Sequence, residues 1–511
     1  MLGRTRSVAL LGVEGHVVEV EAHVADGLPA FALVGLPDAS LSEARDRVRA
    51  ALANAGHGWP QRRVTVNLSP ASLPKTGSGF DVAVAVALLA ALGQVPPDSA
   101  AGTLHVGELG LDGRLRPVRG VLPAVLAGAR AGVRRVVVPA ADADEARLVG
   151  DVDVVAAVDL ADVVLAHGGL PGRPPGRSVP VPHPVAARAG APRPEPDLAD
   201  VVGQEEARHA LEVAAAGGHH LLLLGPPGAG KTMLAARLPG LLPDLDDDTA
   251  VEVTAVHSVA GTFDPRGGLL RRPPFEDPHH TASTASVVGG GTGLPRPGAA
   301  SRAHRGVLFL DEAPEFRHSV LEALRQPLEH GELVIARSRG VARYPARFQL
   351  VLAANPCPCG KGGGKGLECT CTSLARRRYL QRLSGPLMDR VDLQVQVQPV
   401  SHRAIRGGPG ESSAVVAGRV RAARAAQRER LAGTGWQCNG EVPGPLLRGR
   451  LRLAPPATAA IDRALDRGLL TARGYDRVLR TAWTLADLAG RSPGREEVER
   501  AVFLRTMGGA A

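Results

Sequence analysis

Lysine is scarce in this chain. Although lysine and arginine together make up 60 of the 511 residues, lysine occurs only at positions 75, 231, 361 and 365. Arginine therefore supplies almost every positive charge. Because the two cations are not interchangeable, a lysine that persists at Lys231 indicates that a compact ammonium group is needed there.

Long apolar segments are also missing. No apolar run reaches the ~18 residues of a membrane span. The opening segment, MLGRTRSVALLGVEGHVVEV, has too short an apolar stretch and too early a charge for a secretory signal. Cysteine is sparse, and four of the five cysteines are clustered. This usage favours a metal site over a disulfide framework, so we expect a cytoplasmic protein that does not contact a membrane.

The composition is that of a globular protein, with 44% hydrophobic and 22% charged residues. A chain of 511 residues is long enough for roughly three or four domains. The net charge of +9 is typical of a protein with a polyanionic partner such as nucleic acid. An arginine-rich composition raises the pI without any binding, however, so charge alone does not identify the partner.

One short segment, GPPGAGKT, fits the phosphate-binding loop G-x-x-x-x-G-K-[ST]. Its residues are Gly225, Pro226, Pro227, Gly228, Ala229, Gly230, Lys231 and Thr232. The apolar run Leu221–Leu224 before it predicts a strand, and residues 233–238 after it predict a helix. In that context the loop binds phosphates, Lys231 reaches the β/γ-phosphates and the Thr232 hydroxyl binds Mg²⁺. The sequence therefore predicts an ATP–Mg²⁺ site.

A second apolar run, Val307–Leu310, ends in Asp311 and Glu312. At the end of a buried strand, Asp311 suits binding of Mg²⁺ and Glu312 suits polarising the attacking water. A third run, residues 348–354, predicts another strand that ends at Asn355. Asn355 is either a side-chain amide that positions the water or a plain strand-end residue that starts a turn.

Residues 1–167 alternate strand-like and helical patterns, which predicts an α+β or α/β domain. The expected strands are residues 64–68, 104–109 and 133–138, and the expected helices are residues 41–55 and 82–92. The segments PKTGSGFD and GELGLDGRLRPVRG resemble the C-terminal domain of Lon-type proteases, which has the ribosomal-S5-domain-2-like fold. The position of the nucleophile falls at Gly79 and that of the lysine near Leu122. We therefore expect no catalytic dyad, since Ser78 has no evident base and Lys75 lies on the wrong loop.

The remaining chain divides by composition. Residues 168–196 are rich in Pro, Gly and Arg, which predicts a linker, or alternatively an ordered strap across two domains. Residues 197–400 carry the ATPase motifs and residues 401–511 are helical in pattern. The expected architecture is an α/β multidomain protein with a parallel sheet in its ATPase core and an all-α C-terminal lid.

Several segments together resemble the Mg-chelatase-like AAA+ family known as YifB or ComM. They are VVGQEEARHALEVAAAGGHHLLLLGPPGAGKT, FEDPHHTAS, GVLFLDEAPEF, LRQPLEHGE, AANPCPCG and LSGPLMDRVDL. The resemblance implies a helix-2-insert AAA+ core, a hexamer, and a DNA motor that drives branch migration during recombination and natural transformation. It implies ATP and Mg²⁺ as cofactors and DNA as a partner. It is also compatible with a recombination protein as a second partner.

The resemblance also implies roles for individual residues. Val202 and Gly203 would abut the adenine, and Asn355 would be sensor 1. Arg390 would be an arginine finger that reaches the γ-phosphate of a neighbouring subunit, or else an arginine paired locally with Asp389 or Asp392. Arg473 stands where sensor 2 is expected, with Arg477 and Arg480 as rivals on the same segment.

Four cysteines follow Asn355 in the pattern C-x-C-x₉-C-x-C: Cys357, Cys359, Cys369 and Cys371. Four thiolates can hold Zn²⁺ tetrahedrally and tie a glycine-rich loop that has no core of its own. The spacing differs from the usual C-x₂₋₄-C knuckle, so free thiols and a redox disulfide remain alternatives. Cys438 is expected to be structural.

Two segments are candidate DNA contacts. The resemblance places residues 275–283 (FEDPHHTAS) and the Gly-rich residues 289–298 where helix-2 inserts project into the ring pore. The first segment carries His279 and His280, which are alternatively loop-packing residues or metal ligands. Residues 333–348 alternate like a β-hairpin with Arg337, Arg339 and Arg343 near its tip, where arginines could follow phosphates without reading bases. A solvated turn is the alternative.

The competing hypothesis for the whole chain is a chelatase- or chaperone-like ATPase that remodels a protein partner.

Overall fold

A computed structural model describes residues 1–36, 38, 41, 43–172, 179–182, 195–291, 295–337, 340–362, 369–399, 408 and 410–506. Most of the predicted linker, residues 173–178 and 183–194, lies outside this set, as do Arg339 and Lys365. No helix in the described ranges is long and apolar enough to cross a lipid bilayer.

The N-terminal unit is built on a seven-stranded mixed sheet. Its strands are β1 (Leu2–Leu11), β2 (Glu14–Ala25), β3 (Ala30–Val34), β4 (Arg63–Ser69), β5 (Thr103–His105), β6 (Glu108–Leu109), β7 (Leu115–Arg116), β8 (Arg135–Pro139) and β9 (Asp153–Ala157). The order across the large sheet is β3-β4-β2-β1-β5-β8-β9, and β6 pairs with β7 separately. β1, β2 and β4 are antiparallel neighbours, whereas β5, β8 and β9 add to the sheet in parallel.

Helices cover this sheet: α1 (Ala44–Asn54), α2 (Asp81–Ala91), α3 (Pro97–Ala101), α4 (Val121–Arg130), α5 (Ala143–Ala146) and α6 (Leu160–Ala166). Every residue of α2 is buried, as its uniformly apolar sequence requires. The single strand predicted over residues 104–109 is wrong, because the chain leaves the sheet at Gly107. There the Gly107 N–H donates to the Gly79 carbonyl and the Gly107 carbonyl accepts from Val82, so β5 and β6 are separate.

The middle unit contains a five-stranded sheet whose strand pairs are all parallel. The strands of this unit are β10 (Leu221–Leu224), β11 (Phe275–Glu276), β12 (Val307–Leu310), β13 (Glu332–Arg337), β14 (Gly340–Pro345), β15 (Gln349–Ala354) and β16 (Leu393–Gln396). The sheet order is β11-β12-β15-β10-β16, while β13 and β14 form a separate hairpin. Parallel strands buried on both faces read as continuous apolar runs, which is why β10, β12 and β15 could be predicted.

The helices of the middle unit are α7 (Glu205–Gly217), α8 (Lys231–Ala235), α9 (Asp247–Ala260), α10 (Thr284–Val288), α11 (Ala299–Arg302), α12 (His318–Ala323), α13 (Arg325–His330), α14 (Ser373–Leu380) and α15 (Gly385–Met388). The helix after the phosphate loop begins at Lys231, two residues before the predicted start at 233. It also ends earlier than predicted, because Arg237 and Leu238 donate to the carbonyls three residues back and tighten the chain.

Residues 410–506 are helical, and no strand occurs in that described stretch. The helices are α16 (Ser413–Arg430), α17 (Gly444–Arg448), α18 (Pro455–Asp466), α19 (Ala472–Leu488) and α20 (Arg495–Thr506). α16 lies on α7, where Arg424 donates two hydrogen bonds to the Ala215 carbonyl at 3.0 and 2.7 Å. Asp197 caps the junction by accepting from the Ser413 N–H at 2.9 Å.

The N-terminal unit rests on α9 and on the β13–β14 hairpin. Ser258 on α9 donates a 2.5 Å hydrogen bond to the buried Glu145. A Cβ at Gly12, in the β1–β2 turn, would lie only 2.2 Å from the Arg343 carbonyl. The turn can therefore pack this closely against the hairpin only with glycine at position 12. A small apolar cluster completes the contact, formed by Val13, Val259, Ile335, Ala342 and Tyr344.

Candidate functional site

The five parallel strands deliver their following residues to one edge of the sheet, since carboxyl ends of parallel strands lie together. The phosphate loop follows β10, the Asp311–Glu312 pair follows β12, and Asn355 follows β15. The structure therefore brings together the residues that three separate sequence motifs predicted.

Lys231 is the centre of this group. The residue is 8% exposed, and Nζ donates to the Gly225 carbonyl at 2.6 Å, the Pro226 carbonyl at 3.0 Å and Asn355 Oδ1 at 3.0 Å. Burial lowers the pKa of the ammonium group, and the negative charges of Asp311 and Glu312 oppose that shift. Two carboxylates thus help to keep a desolvated lysine charged where an anion would bind.

The acidic pair meets the phosphate loop at its last residue, Thr232. Thr232 Oγ1 donates to Asp311 Oδ2 at 2.7 Å, so a hydroxyl and a carboxylate suited to one Mg²⁺ are already in contact. Asp311 Oδ1 accepts the backbone N–H of Glu312 at 2.9 Å. Glu312 has a left-handed backbone (φ 52°), which is uncommon for a non-glycine residue, and its side chain is 50% exposed.

The sequence did not predict that His280 belongs to this group. Its Nδ1 lies 3.3 Å from Glu312 Oε2. The ring of His279 lies against that of His280, with centroids 4.2 Å apart, while His279 Nδ1 contacts the Thr281 hydroxyl at 2.8 Å. Of the two histidines predicted as DNA contacts, one therefore lies beside the predicted water-polarising carboxylate.

A glutamine closes the loop from the side of α7. Gln204 Nε2 donates to the Ala229 carbonyl at 3.2 Å and also to the carbonyl of Gln398, which follows β16. Gln204 adopts a left-handed backbone (φ 61°) directly after Val202 and Gly203, the predicted adenine neighbours. Neither of these glutamine contacts was predicted, because they join segments far apart in sequence.

Arg390 and Arg473 form a second group. Arg390 is 4% exposed and pairs with Glu329 and the Pro386 carbonyl, not with Asp389 or Asp392 as the local alternative required. Burial lowers its pKa, and the nearby Arg473 contributes to the same shift. A cavity of about 600 Å³ lies beside both arginines, and none of the phosphate-loop residues is among its described lining.

The structure separates Arg473 from its rivals on α19. Arg477 donates to the buried Asp392 at 2.6 Å, and Arg480 donates to the Val442 carbonyl at 2.7 Å. Arg473 is 68% exposed and lies 4.0 Å from Asp389. Of the three, Arg473 is the most exposed, although Arg477 and Arg480 line the same cavity.

The four clustered cysteines meet in space. The Sγ atoms of Cys357, Cys359, Cys369 and Cys371 all lie within 4.8 Å of one another. Three of the sulfur–sulfur distances are 3.3, 3.6 and 3.6 Å, and all four thiols are free. Tetrahedral Zn–S bonds of about 2.3 Å would place sulfurs about 3.8 Å apart. The cluster therefore has the donor set and nearly the spacing of a zinc site.

The cysteine loop touches the phosphate loop. A Cβ at Gly360 would lie 2.7 Å from the Pro227 ring, and Gly360 has a positive φ of 75°. Cys357, fully buried, is two residues beyond Asn355. Any ligand that orders the cysteines would thus also support the residue that contacts Lys231.

The predicted hairpin is confirmed, with Arg337 paired opposite Gly340 beside the turn. Arg337 is exposed. Arg343 is not near the tip as predicted: it stands opposite Val334 and its side chain pairs with Glu332 at 3.0 Å. The cause is register, because the Val334–Arg343 pair lies three pairs away from the Arg337–Gly340 pair that ends the described hairpin. Arg339 lies outside the described residues.

Comparison with known proteins found three matching family models. The family model "Magnesium chelatase, subunit ChlI" matches residues 197–405, "Subunit ChlI of Mg-chelatase" matches residues 20–142, and "Magnesium chelatase, subunit ChlI C-terminal" matches residues 410–505. A protein of Mycobacterium tuberculosis is 54% identical over 99% of both chains. Competence protein ComM of Haemophilus influenzae is 42% identical, over 95% of this chain and 93% of its own.

The protein YifB of Escherichia coli is 41% identical over 94% of this chain and 92% of its own. The chain belongs to the YifB/ComM family of Mg-chelatase-like AAA+ proteins. Membership in this family agrees with a mixed α/β protein that contains a parallel sheet, and it indicates ATP and Mg²⁺ as cofactors.

The front region of this family member has a serine contact that sequence reasoning missed. Ser78 Oγ donates to the Glu108 carboxylate, so Ser78 does have a partner. Lys75 is fully buried and its Nζ donates to the Pro70 carbonyl. Leu122, at the expected lysine position, is also buried. In the described residues the structure records no contact between Ser78 and Lys75.

Proposed function

We propose that this chain is a Mg²⁺-dependent ATPase that works as a ring-shaped DNA motor. The observation that carries the proposal is the set of contacts at the sheet edge, where Lys231 meets Asn355 and Thr232 meets Asp311. A triphosphate over the loop would find the Lys231 ammonium, a helix N-terminus at α8, and a hydroxyl–carboxylate pair for Mg²⁺. Glu312 beside that pair would polarise the attacking water, and Asn355 would help to place it.

Hydrolysis in this proposal requires two protomers. Arg390 and Arg473 face a cavity apart from the loop of their own chain, which supports a role toward a neighbour's nucleotide. Arg390 would exchange Glu329 for the γ-phosphate, and such a finger contributes roughly 10³–10⁵ in rate. A homo-hexamer, as in the family resemblance, would repeat this seam around a ring.

DNA is the proposed polymer. Arg337 is exposed beside the hairpin turn, and a positive side chain there can follow phosphates without reading bases. The net charge of +9 supports a polyanionic partner. The family resemblance suggests branch migration in recombination or transformation as the process. In this proposal the protein acts in the cytoplasm and has a recombination protein as a further partner.

The cysteine cluster is proposed as a structural zinc site within this architecture. Cys357, Cys359, Cys369 and Cys371 would be its ligands. The backbone N–H of Lys361 helps to lower the pKa of Cys359 to about 6, whereas burial raises the pKa of Cys357 to about 11. Of these two cysteines, Cys359 is therefore more readily present as the thiolate that a metal requires. When bound, zinc supplies a cross-link between the two ends of the loop. The residues themselves hold Gly360 against Pro227 and so brace the phosphate loop.

A second candidate function rests on the contacts of the N-terminal unit with α9 and the hairpin. A partner protein bound to that unit could act on the ATPase core, as in a remodelling enzyme. We further propose the division into a Lon-like domain without a dyad (1–167), a linker (168–196), an AAA+ core (197–400) and a helical lid (401–511).

The deciding experiment measures ATPase rate against a panel of DNA structures at one fixed salt concentration, because phosphate binding is strongly salt-dependent. Stimulation by forked or four-way DNA supports the motor. No stimulation by any DNA, with stimulation by a protein partner, would favour the remodelling enzyme. A purified protein that turns over no ATP under either condition contradicts both.

A further inference from the structure

The position of His280 follows from the sheet. β11 is only two residues long, yet it pairs in parallel with β12, with Phe275 opposite Val307. Phe275 also stacks on Phe309, with ring centroids 6.0 Å apart. Residues that leave β11 therefore emerge at the same edge as Asp311 and Glu312, which leave β12. The sheet itself directs His280 toward the water-polarising carboxylate.

Both ends of the segment that carries His280 are fixed. On one side, Glu276 pairs with Arg302 at 2.6 Å. On the other, Ser283 caps α10 by accepting from the Ser286 N–H at 3.1 Å, and Ala282 packs into the hydrophobic core. A loop held at both ends can hold a side chain in one place, whereas a free insert loop could not.

Glu312 lacks such support of its own. Its side chain is half exposed, and a glutamate with that freedom populates several rotamers. In the described part of the chain, His280 Nδ1 at 3.3 Å is the nearest polar partner that the structure records for the carboxylate. The negative charge of Glu312 also acts on Lys231, where it raises the pKa of the ammonium group against the effect of burial.

We propose that His280 is a positioning residue that orients the Glu312 carboxylate for attack of water on the nucleotide. In this role His280 acts through Glu312, the carboxylate that its Nδ1 contacts. The inference rests on the proposed ATPase function and assigns a role to a segment that otherwise would belong to the pore. His279, which contacts Thr281, has no part in this role.

The test compares variants of the full-length protein by kcat, KM and the dissociation constant of a fluorescent ATP analogue. His280→Ala should lower kcat 10- to 100-fold, because misplacing a reacting group by about 1 Å can cost 10²-fold. KM and nucleotide affinity should stay near wild type, since the contact acts on the chemical step. His280→Asn, which keeps an N–H donor of similar reach, should recover part of the loss.

The matched control is His318→Ala, because His318 is a surface histidine of the same unit with a 71% exposed side chain. It should leave every constant unchanged. In a Glu312→Gln background, His280→Ala should lower the residual rate little further, since a pair that acts together gives non-additive losses. Thermal unfolding of each variant checks that the fold is intact.

Three results would overturn the role of His280: an unaltered kcat in His280→Ala, full additivity with Glu312→Gln, or a loss confined to DNA affinity. If wild-type protein hydrolyses ATP and His280→Ala matches it, only this inference fails. If wild-type protein hydrolyses none, the proposed function itself is wrong. The two failures are thus distinguishable.

Discussion

Asp142 provides a stability test at the junction between the N-terminal unit and the core. It is 1% exposed and accepts a 2.9 Å hydrogen bond from the Val118 N–H. Burial raises its pKa from 3.8 to about 8, and the neighbouring Glu145 adds to the increase although Val118 opposes it. The perturbation is Asp142→Asn, which keeps an acceptor for Val118 and removes the ionisation.

The direction follows from proton binding. Between about pH 4 and 8 the folded carboxyl holds its proton and the unfolded one does not, so stability falls as pH rises through that window. Within this window each pH unit lowers the free energy of unfolding by about 1.4 kcal/mol. The loss between pH 5.5 and 8.5 is therefore at most about 3–4 kcal/mol. The Asp142→Asn variant should lose this contribution to the pH dependence of the free energy of unfolding. It should therefore be more stable than wild type at pH 8.5.

The assay is the thermal midpoint of the full chain at pH 5.5 and 8.5. A loss of about 3–4 kcal/mol in a unit of this size is on the order of 10 °C. The control is Asp144→Asn, whose exposed side chain pairs with Arg147 at 2.9 Å and should not affect the slope. A variant at position 142 that keeps the full wild-type slope would refute the reasoning, because Asp142 would then be ionised in the folded protein.

Three further predictions concern the site. Glu312→Gln should bind ATP normally but lower hydrolysis by about 10²–10⁴, measured by phosphate release, and an unchanged rate would exclude the assigned role. Cys357→Ser should reduce bound zinc in metal analysis of purified protein, whereas Cys438→Ser should not; wild type without stoichiometric zinc removes the site. Arg337→Ala should weaken binding of all DNA sequences alike and reduce the salt slope by about one; a sequence-selective effect would contradict phosphate tracking.

The parallel sheet shows what the sequence could predict. Buried parallel strands are continuous apolar runs, so β10 and β12 were predicted with their observed bounds. The residues after them, Lys231 and Asp311, followed from those bounds and from the known chemistry of phosphate loops. That part of the site required only local pattern.

Other parts depend on pairing that has no local signal. β11 is too short for its alternation to be read, so His280 was interpreted as a pore residue and its place beside Glu312 was missed. The partner of Arg390 was likewise not predicted, because Glu329 lies on α13, far from Arg390 in sequence, and Asp389 and Asp392 are much closer along the chain. Long-range contacts between loops decide these positions, and the hydrophobic periodicity of a single sequence carries no signal for such contacts.

Mixing two inactive variants tests the central claim, that ATP is hydrolysed at a seam between protomers. Glu312→Gln retains Arg390 and Arg390→Ala retains Glu312, so a mixed ring contains seams in which both residues are wild type. Random assembly of equal amounts makes roughly a quarter of the seams complete. We predict that the 1:1 mixture hydrolyses ATP many times faster than either variant alone. A mixture whose rate is only the average of the two would contradict the account.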